Sequence, residues 1–276
     1  MPTRSPLRAL AAALSLSARC LPAQARMLCT VVADVADGRI VFQDGTQDAC
    51  AARYTPASTF KLAIALMGYD AGILQDAHAP VWEYQPSYPD WGGDDWRKPV
   101  DPTRWIKYSV FWYSQQIGEK LGLARLQQYT TAFGYGNQDV SGHPGKNNGT
   151  QGAWHVSSLR ISPLEQLDFL RRLARRQLPV KPQAYDMAEI LFDAGFDADG
   201  WKIHGKTGTG SPGSFGDYDR EHAYGWYVGW ARKNGRELVF ARLIQDEKAA
   251  TPNAGMRARE QLLAGLPGWL GAAGQR

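Results

Sequence analysis

An α+β fold, in which an antiparallel sheet is flanked by helices and carries an inserted helical lobe, is predicted by three observations on this 276-residue chain. Strand-like stretches rich in β-branched and aromatic residues lie towards both ends, at 29–44 and 201–245, and helical patterns fill the middle. Two of the late strands are joined by Asn234-Gly235, a strong hairpin signal that argues for antiparallel pairing. No repeat or low-complexity linker divides the chain, and a hydrophobic content of 44% suffices for one shared core.

From the N-terminus, residues 1–25 read as an export signal peptide: Arg4 and Arg8 precede an apolar stretch at 9–18, and Ala23-Gln24-Ala25 is a small-x-small cleavage site. Residues 26–276 then read as a single domain, with a sheet lobe over about 26–57 and 195–276 and a helical lobe over about 58–194. Strands over 29–44 contain the turn signal Asp37-Gly38. Next, Pro56 and small residues give way to an apolar run towards Tyr69, which predicts a helix starting at or just before Ser58. A Trp- and Pro-rich loop at 79–105 has helices on either side, and further helices are expected at 114–133, 163–177 and 182–194. Strands return at 201–205, 224–232 and 237–245, and an amphipathic helix opening near Asn253 closes the chain.

Charge and cysteine content exclude several classes. Removing the leader takes three of the 31 basic residues and no acid, leaving 28 against 27, so a concentrated basic face for nucleic acid is not expected. The arginines of 171–176 read as the wet side of a helix, and no later stretch reaches the roughly 18 apolar residues of a membrane span. Cys20 leaves with the signal peptide. Cys29 and Cys50 are candidates for a disulfide in an exported protein, with two buried thiols as the alternative. The five histidines are scattered and no Cys-x-x-Cys appears, so no metal is expected.

Chemistry concentrates in two motifs. In Ser58-Thr59-Phe60-Lys61, three residues along a helix return a side chain to the same face, so Lys61 stands one turn above Ser58 with its amine near the hydroxyl. Crowding by Phe60, Leu62, Ile64, Leu66 and Met67 desolvates that amine and favours its neutral form, a usable base. Free N–H groups and the positive dipole end of the helix favour an oxyanion beside Ser58. Taken alone, the spacing equally fits a capping serine and a lysine that snorkels to solvent.

The second motif, Lys206-Thr207-Gly208, lies on a short Gly-flanked strand. Beside Ser58 it would supply a cation from Lys206, a hydroxyl from Thr207, close backbone approach at Gly208, and a Thr209 N–H to join that of Ser58 in an oxyanion hole. An extended acyl substrate would add along it like a strand. On its own the triplet also fits a solvated turn. The spacing Gly208-x-Gly210-x-x-Gly213 is no dinucleotide fingerprint, because Pro212 and the glycines after it prevent the helix that such a motif must open. No Gly-x-Ser-x-Gly elbow occurs either.

These motifs, in order with Tyr135-Gly136-Asn137, the segment 154–166 that opens with Trp154, the segment 224–230, and Arg257, resemble the class D serine β-lactamases of the oxacillinase type over nearly all of 26–276. The resemblance implies the serine β-lactamase and penicillin-binding-protein fold, and hydrolysis of β-lactams such as penicillins and oxacillin through a Ser58 acyl-enzyme. It implies antibiotic resistance and a bacterial periplasmic location. No separate cofactor is implied beyond carbon dioxide or bicarbonate, which would carboxylate Lys61 to give the general base for acylation and deacylation. Trp154 would hydrogen-bond that carbamate, Ser109 and Lys206 would serve catalysis, and Arg257 with Thr207, Gly208 and Thr209 would receive the substrate carboxylate. Tyr135 would be a wall of the substrate site.

One departure from the family pattern is Phe111, where the Ser-x-Val motif that begins at Ser109 ends in Val. The larger ring would border the lysine pocket and narrow the path of water, or turn into the core. Trp154 equally suits core packing, Arg257 an ion pair on a helix, and Tyr135-Gly136-Asn137 a turn. Two rivals share the acylation chemistry: a penicillin-binding transpeptidase or carboxypeptidase, and a β-lactam sensor that stays acylated. Either a monomer or a homodimer is consistent with the sequence, and no membrane or nucleic-acid partner is expected.

Overall fold

The computed structural model describes residues 25–213 and 217–273, so the expected leader lies outside the described residues except for Ala25. The chain runs β1 (Arg26–Asp34), β2 (Ile40–Asp44), α1 (Gln47–Ala51), a 3₁₀ turn (Ala57–Phe60), α2 (Lys61–Asp70), α3 (Pro102–Lys107), α4 (Phe111–Ala132), α5 (Gly149–Gly152), α6 (Pro163–Ala174), α7 (Pro182–Leu191), β3 (Asp193–Ala198), β4 (Trp201–Gly210), β5 (Tyr224–Lys233), β6 (Arg236–Gln245) and α8 (Ala254–Ala273). Among the described residues these strands form one six-stranded sheet in the order β2-β1-β6-β5-β4-β3, antiparallel throughout. The α+β class predicted from the sequence is the class observed.

Both faces of the sheet are covered, which is why its central strands read as nearly continuous apolar runs. On one face Trp226, Val228 and Ala241 pack with Ile64, Leu66 and Leu170 of the helices. On the other, Ile203, Tyr227 and Phe240 meet Ala258, Leu262 and Leu266 of α8. The hairpin at Asn234-Gly235 has positive φ at both residues, 50° and 78°, as a tight primed turn requires. The β1–β2 connection is longer than a two-residue turn: Asp34 N–H bonds Arg39 O at 2.9 Å, and the Asp34 and Asp37 carboxylates accept from Ala36 and Arg39 N–H.

Several elements differ from expectation for identifiable reasons. Helix α6 starts at Pro163 behind a capping box between Ser162 and Glu165, but stops at Ala174 because Arg176 turns left-handed, φ 54°, and Gln177 N–H closes back on Arg172 O. Its arginines are not merely a wet face. Arg171 and Arg175 donate to carbonyls of the β1–β2 loop, and Arg172 to Phe133 O and Ala132 O at the end of α4. Helix α7 ends at Leu191, and the next residues become the edge strand β3 through pairing with β4. Within the segment expected to be a loop, Asp101 caps the short helix α3 by accepting from Arg104 N–H at 2.7 Å. Gly122, at φ 74°, interrupts α4.

Cys29 on β1 and Cys50 on α1 are disulfide-bonded and fully buried. The bridge ties the sheet to the segment leading to Ser58, and closing its 21-residue separation should contribute about 3 kcal/mol by restricting the unfolded chain. A Cys29→Ala/Cys50→Ala variant is therefore expected to lose about that much in denaturant titration. A loss well under 1 kcal/mol would overturn the loop-closure account.

Candidate active site

Ser58 stands at the head of α2, on a turn clamped from several sides. Trp226 Nε1 donates to Thr55 O at 3.1 Å, and the Thr55 and Tyr224 hydroxyls hydrogen-bond. Ala57, next in line, adopts φ 48°, a costly left-handed conformation for a residue with a side chain. It is held there by its N–H, which donates to Trp154 O at 2.9 Å. Thr59 N–H and hydroxyl both return to Pro56 O, and Gln166 Nε2 locks the Thr59 hydroxyl at 3.1 Å. A backbone held in this costly conformation thus stands immediately before a partly exposed serine.

Lys61 is 1% exposed, and its Nζ donates to Ser58 Oγ at 3.3 Å. Burial first, and then the positive charge of Lys206, hold the amine well below its ordinary range. Lys206 is buried as well and is lowered to about 7, by desolvation and then by Arg259. Its Nζ donates to Thr207 O at 3.0 Å. Two lysines in one dry site favour a neutral amine beside the serine.

Strand β4 meets this turn directly. A Cβ on Gly208 would come within 3.0 Å of Pro56 O and 3.2 Å of Thr59 N, tighter than ordinary contact with backbone atoms, so glycine eases the close approach. The β3 partner reaches only to His204, leaving the outer edge of β4 from Lys206 to Gly210 without a strand neighbour among the described residues. The Thr209 hydroxyl donates to Asn253 Oδ1 at 3.0 Å and accepts from Gly255 N–H at 3.1 Å, which binds β4 to the start of α8.

The other expected site residues divide into two groups. Trp154 is 1% exposed, its ring 5.5 Å from Phe60, and its indole Nε1 is buried with no hydrogen-bond partner. Phe111, 8% exposed, lies 6.0 Å from Trp154, 5.1 Å from His155 and 5.0 Å from Trp91. With His155, Trp91 and Tyr218 it walls a cavity of about 260 Å³. Burial and then the charge of Lys61 push His155 down to about 4. Ser109 sits between α3 and α4 at φ 56° and contacts neither Ser58 nor Lys61 by a hydrogen bond.

Two further residues are placed differently from expectation. Tyr135 is fully buried rather than a wall: its ring packs edge-on to Phe60 and Phe169, and Gln166 donates to its hydroxyl at 3.4 Å. Gly136, φ 55°, lets this turn dock on Arg160 O, where a Cβ would stand 2.0 Å away. Arg257 is not a free cation, since Nη2 bonds both Asp246 oxygens at 2.7 and 2.5 Å. Sequence reasoning missed Asp246, Gln166, His155 and Asn253. Of these only Asn253 carried a local signal, as the N-terminal cap whose Oδ1 accepts from Met256 N–H at 3.1 Å.

A serine at hydrogen-bonding distance from a buried lysine whose proton affinity is lowered by burial, facing a second lysine on an open strand edge, defines an acyl-transfer site of the penicillin-recognising serine class. Residues 28–266 match the family described as the penicillin binding protein transpeptidase domain. The chain is 45% identical over 245 residues to β-lactamase OXA-9 of Klebsiella pneumoniae, covering 88% of each protein. It is 35% identical over 216 residues to β-lactamase OXA-1 of Escherichia coli, covering 78% of this chain and 75% of that one. The crystal structure of the class D β-lactamase OXA-427 superposes with a TM-score of 0.81 at 43% identity, over 89% of this chain and 99% of that one. The chain belongs to the class D serine β-lactamases, hydrolases of β-lactam antibiotics.

The buried amine makes a prediction about stability. Because the folded Lys61 is lowered below the unfolded value near 10.5, the unfolded chain binds more protons between the two, and stability rises with pH across that window. Lys61→Met removes this slope, so in buffer freed of carbon dioxide the variant should exceed the parent in stability near neutral pH, by a margin that shrinks towards pH 10.5. Denaturant titrations at several pH values check this, and a pH-independent margin would contradict it.

Proposed function

We propose that Ser58 is the nucleophile in penicillin and oxacillin-type β-lactam hydrolysis, with Lys61 acting in its N-carboxylated form. The observation that carries this reading is the buried Lys61 amine, 3.3 Å from Ser58 Oγ, together with the partnerless buried indole N–H of Trp154, whose ring packs on Phe60, the residue before Lys61. A neutral amine is the form that reacts with carbon dioxide, and the orphaned donor of Trp154 fits a carbamate oxygen, since a buried polar group without a partner is costly. When formed, the carbamate supplies a carboxylate-like base for acylation and deacylation.

The remaining roles follow from this chain's own residues. Ser58 Oγ bonds to the β-lactam carbonyl carbon while the ring C–N bond breaks and the nitrogen takes a proton. Water then cleaves the ester and frees Ser58. The Ser58 and Thr209 N–H groups hold the oxyanion, and the open edge of β4 takes the acyl chain as an added strand. Ser109 and Lys206 return the proton to the leaving nitrogen. Thr207, Thr209 and Arg257 receive the carboxylate. Export to the periplasm is part of the same proposal and is supported by the leader-like pattern of 1–25 and by the Cys29–Cys50 bridge, which persists in oxidising compartments.

Steady-state hydrolysis of a penicillin tests the proposal. Turnover should rise with added bicarbonate over degassed buffer and vanish in Ser58→Ala. Stoichiometric acylation of Ser58 without turnover under both conditions would shift the protein to a penicillin-binding or sensing role. Trp154→Phe should slow deacylation at least tenfold and raise the bicarbonate needed for half-maximal activity, because it removes the donor assigned to the carbamate. Phe111→Val should alter turnover or its bicarbonate dependence, and unchanged kinetics would exclude Phe111 from control of the pocket.

A further inference from the structure

Arg257 is set by its surroundings to a degree that its place on a helix does not demand. Its side chain is 14% exposed and its partner Asp246 only 3%. Nη2 donates to both Asp246 oxygens, at 2.7 and 2.5 Å, and Nε donates to Pro252 O at 2.7 Å. Two of the three guanidinium nitrogens are thereby committed, and among the described residues nothing accepts from Nη1. Asp246 is itself anchored, its N–H donating to Ala223 O at 2.8 Å where β6 ends.

The same corner touches strand β4, which meets the turn that holds Ser58. Arg257 N–H bonds Asn253 O at 3.2 Å, Asn253 Oδ1 accepts from the Thr209 hydroxyl, and a Cβ on Gly255 would lie 2.6 Å from Gly208 O. Arg257 is thus one helical turn from the cap that holds Thr209.

We propose that Asp246 is a positioning residue for substrate binding: it fixes the guanidinium of Arg257 so that the free Nη1 is oriented in advance to receive the carboxylate of a β-lactam. The inference rests on the reading of Arg257 as the carboxylate receptor. A long arginine side chain has many rotamers, and one that is already held loses less freedom when a ligand arrives. Because Asp246 also neutralises the guanidinium, recognition at this corner depends on the direction of a hydrogen bond more than on net charge.

The test is a double-mutant cycle of Asp246→Asn and Arg257→Ala, read as the dissociation constant of an intact penicillin in a Ser58→Ala background, with kcat measured where Ser58 is present. Asp246→Asn should weaken binding about tenfold, the scale of coupling between residues in direct contact, with kcat within about twofold of the parent. Arg257→Ala should weaken binding at least as much, and adding Asp246→Asn to it should change nothing more. If Arg257→Ala weakens binding but Asp246→Asn leaves it unchanged, tightens it, or weakens it equally without Arg257, the positioning role is overturned while the receptor reading stands. If Arg257→Ala leaves binding unchanged, the receptor reading fails and the inference with it. A mere structural staple would lower the melting temperature without this dependence on Arg257. Should Asp246→Asn not fold, Asp246→Ser, which keeps a short acceptor, carries the same cycle.

Discussion

The site depends on keeping an uncharged amine dry beside a serine. Lys61 is enclosed at 1% exposure with Phe60 on its own turn and Trp154 packed on Phe60, and the nearest opposing strand brings a second lysine rather than a carboxylate. A carboxylate at that place would pair with the amine and raise its proton affinity. Lys206 does the reverse, and burial followed by the charge of Arg259 lowers its own proton affinity too, to about 7.

Backbone conformations around Ser58 are secured by contacts from distant elements. A left-handed Ala57 costs energy, and it persists because Trp154 O accepts its N–H while Thr55 is gripped by Trp226 and Tyr224 of β5. Glycine at 208 and at 136 removes the side chains that would otherwise force β4 and the 135–137 turn away from their neighbours. The disulfide adds a covalent tie between β1 and the approach to the same turn.

Local features were legible in the sequence because their causes are local. The Ser58–Lys61 spacing, the Asn234-Gly235 hairpin and the start of α6 at Ser162-Pro163 each rest on a few adjacent residues. Strand β3 was not legible: Asp193-Ala-Gly has weak strand propensity, and only pairing with β4 makes it a strand. Helix α3 carried its Asp101-Pro102 signal inside a run rich in tryptophan that reads as loop. The burial of Tyr135 and the Arg257–Asp246 pair depend on which distant segments meet, and periodicity contains no such information. Phe111 stood out as a departure, but its ring partners Trp91 and His155, and Tyr218 stacked beyond His155, come from three other segments.

Hydrolysis imposes a demand opposed to dryness, because water is itself a reactant. The aromatic wall of Phe111, Trp91, His155 and Tyr218 lies where these demands meet, one ring removed from Trp154. Bulky rings keep solvent from the side chains behind them, and desolvation is what disfavours a charged amine. Burial and then the charge of Lys61 push His155 down to about 4, so near neutral pH this wall adds no cation close to Lys61. The cavity that these rings leave, about 260 Å³, is larger than the roughly 30 Å³ a water molecule occupies. The rings therefore leave room for solvent against Phe111, whose ring lies 6.0 Å from that of Trp154, while Lys61 itself stays 1% exposed.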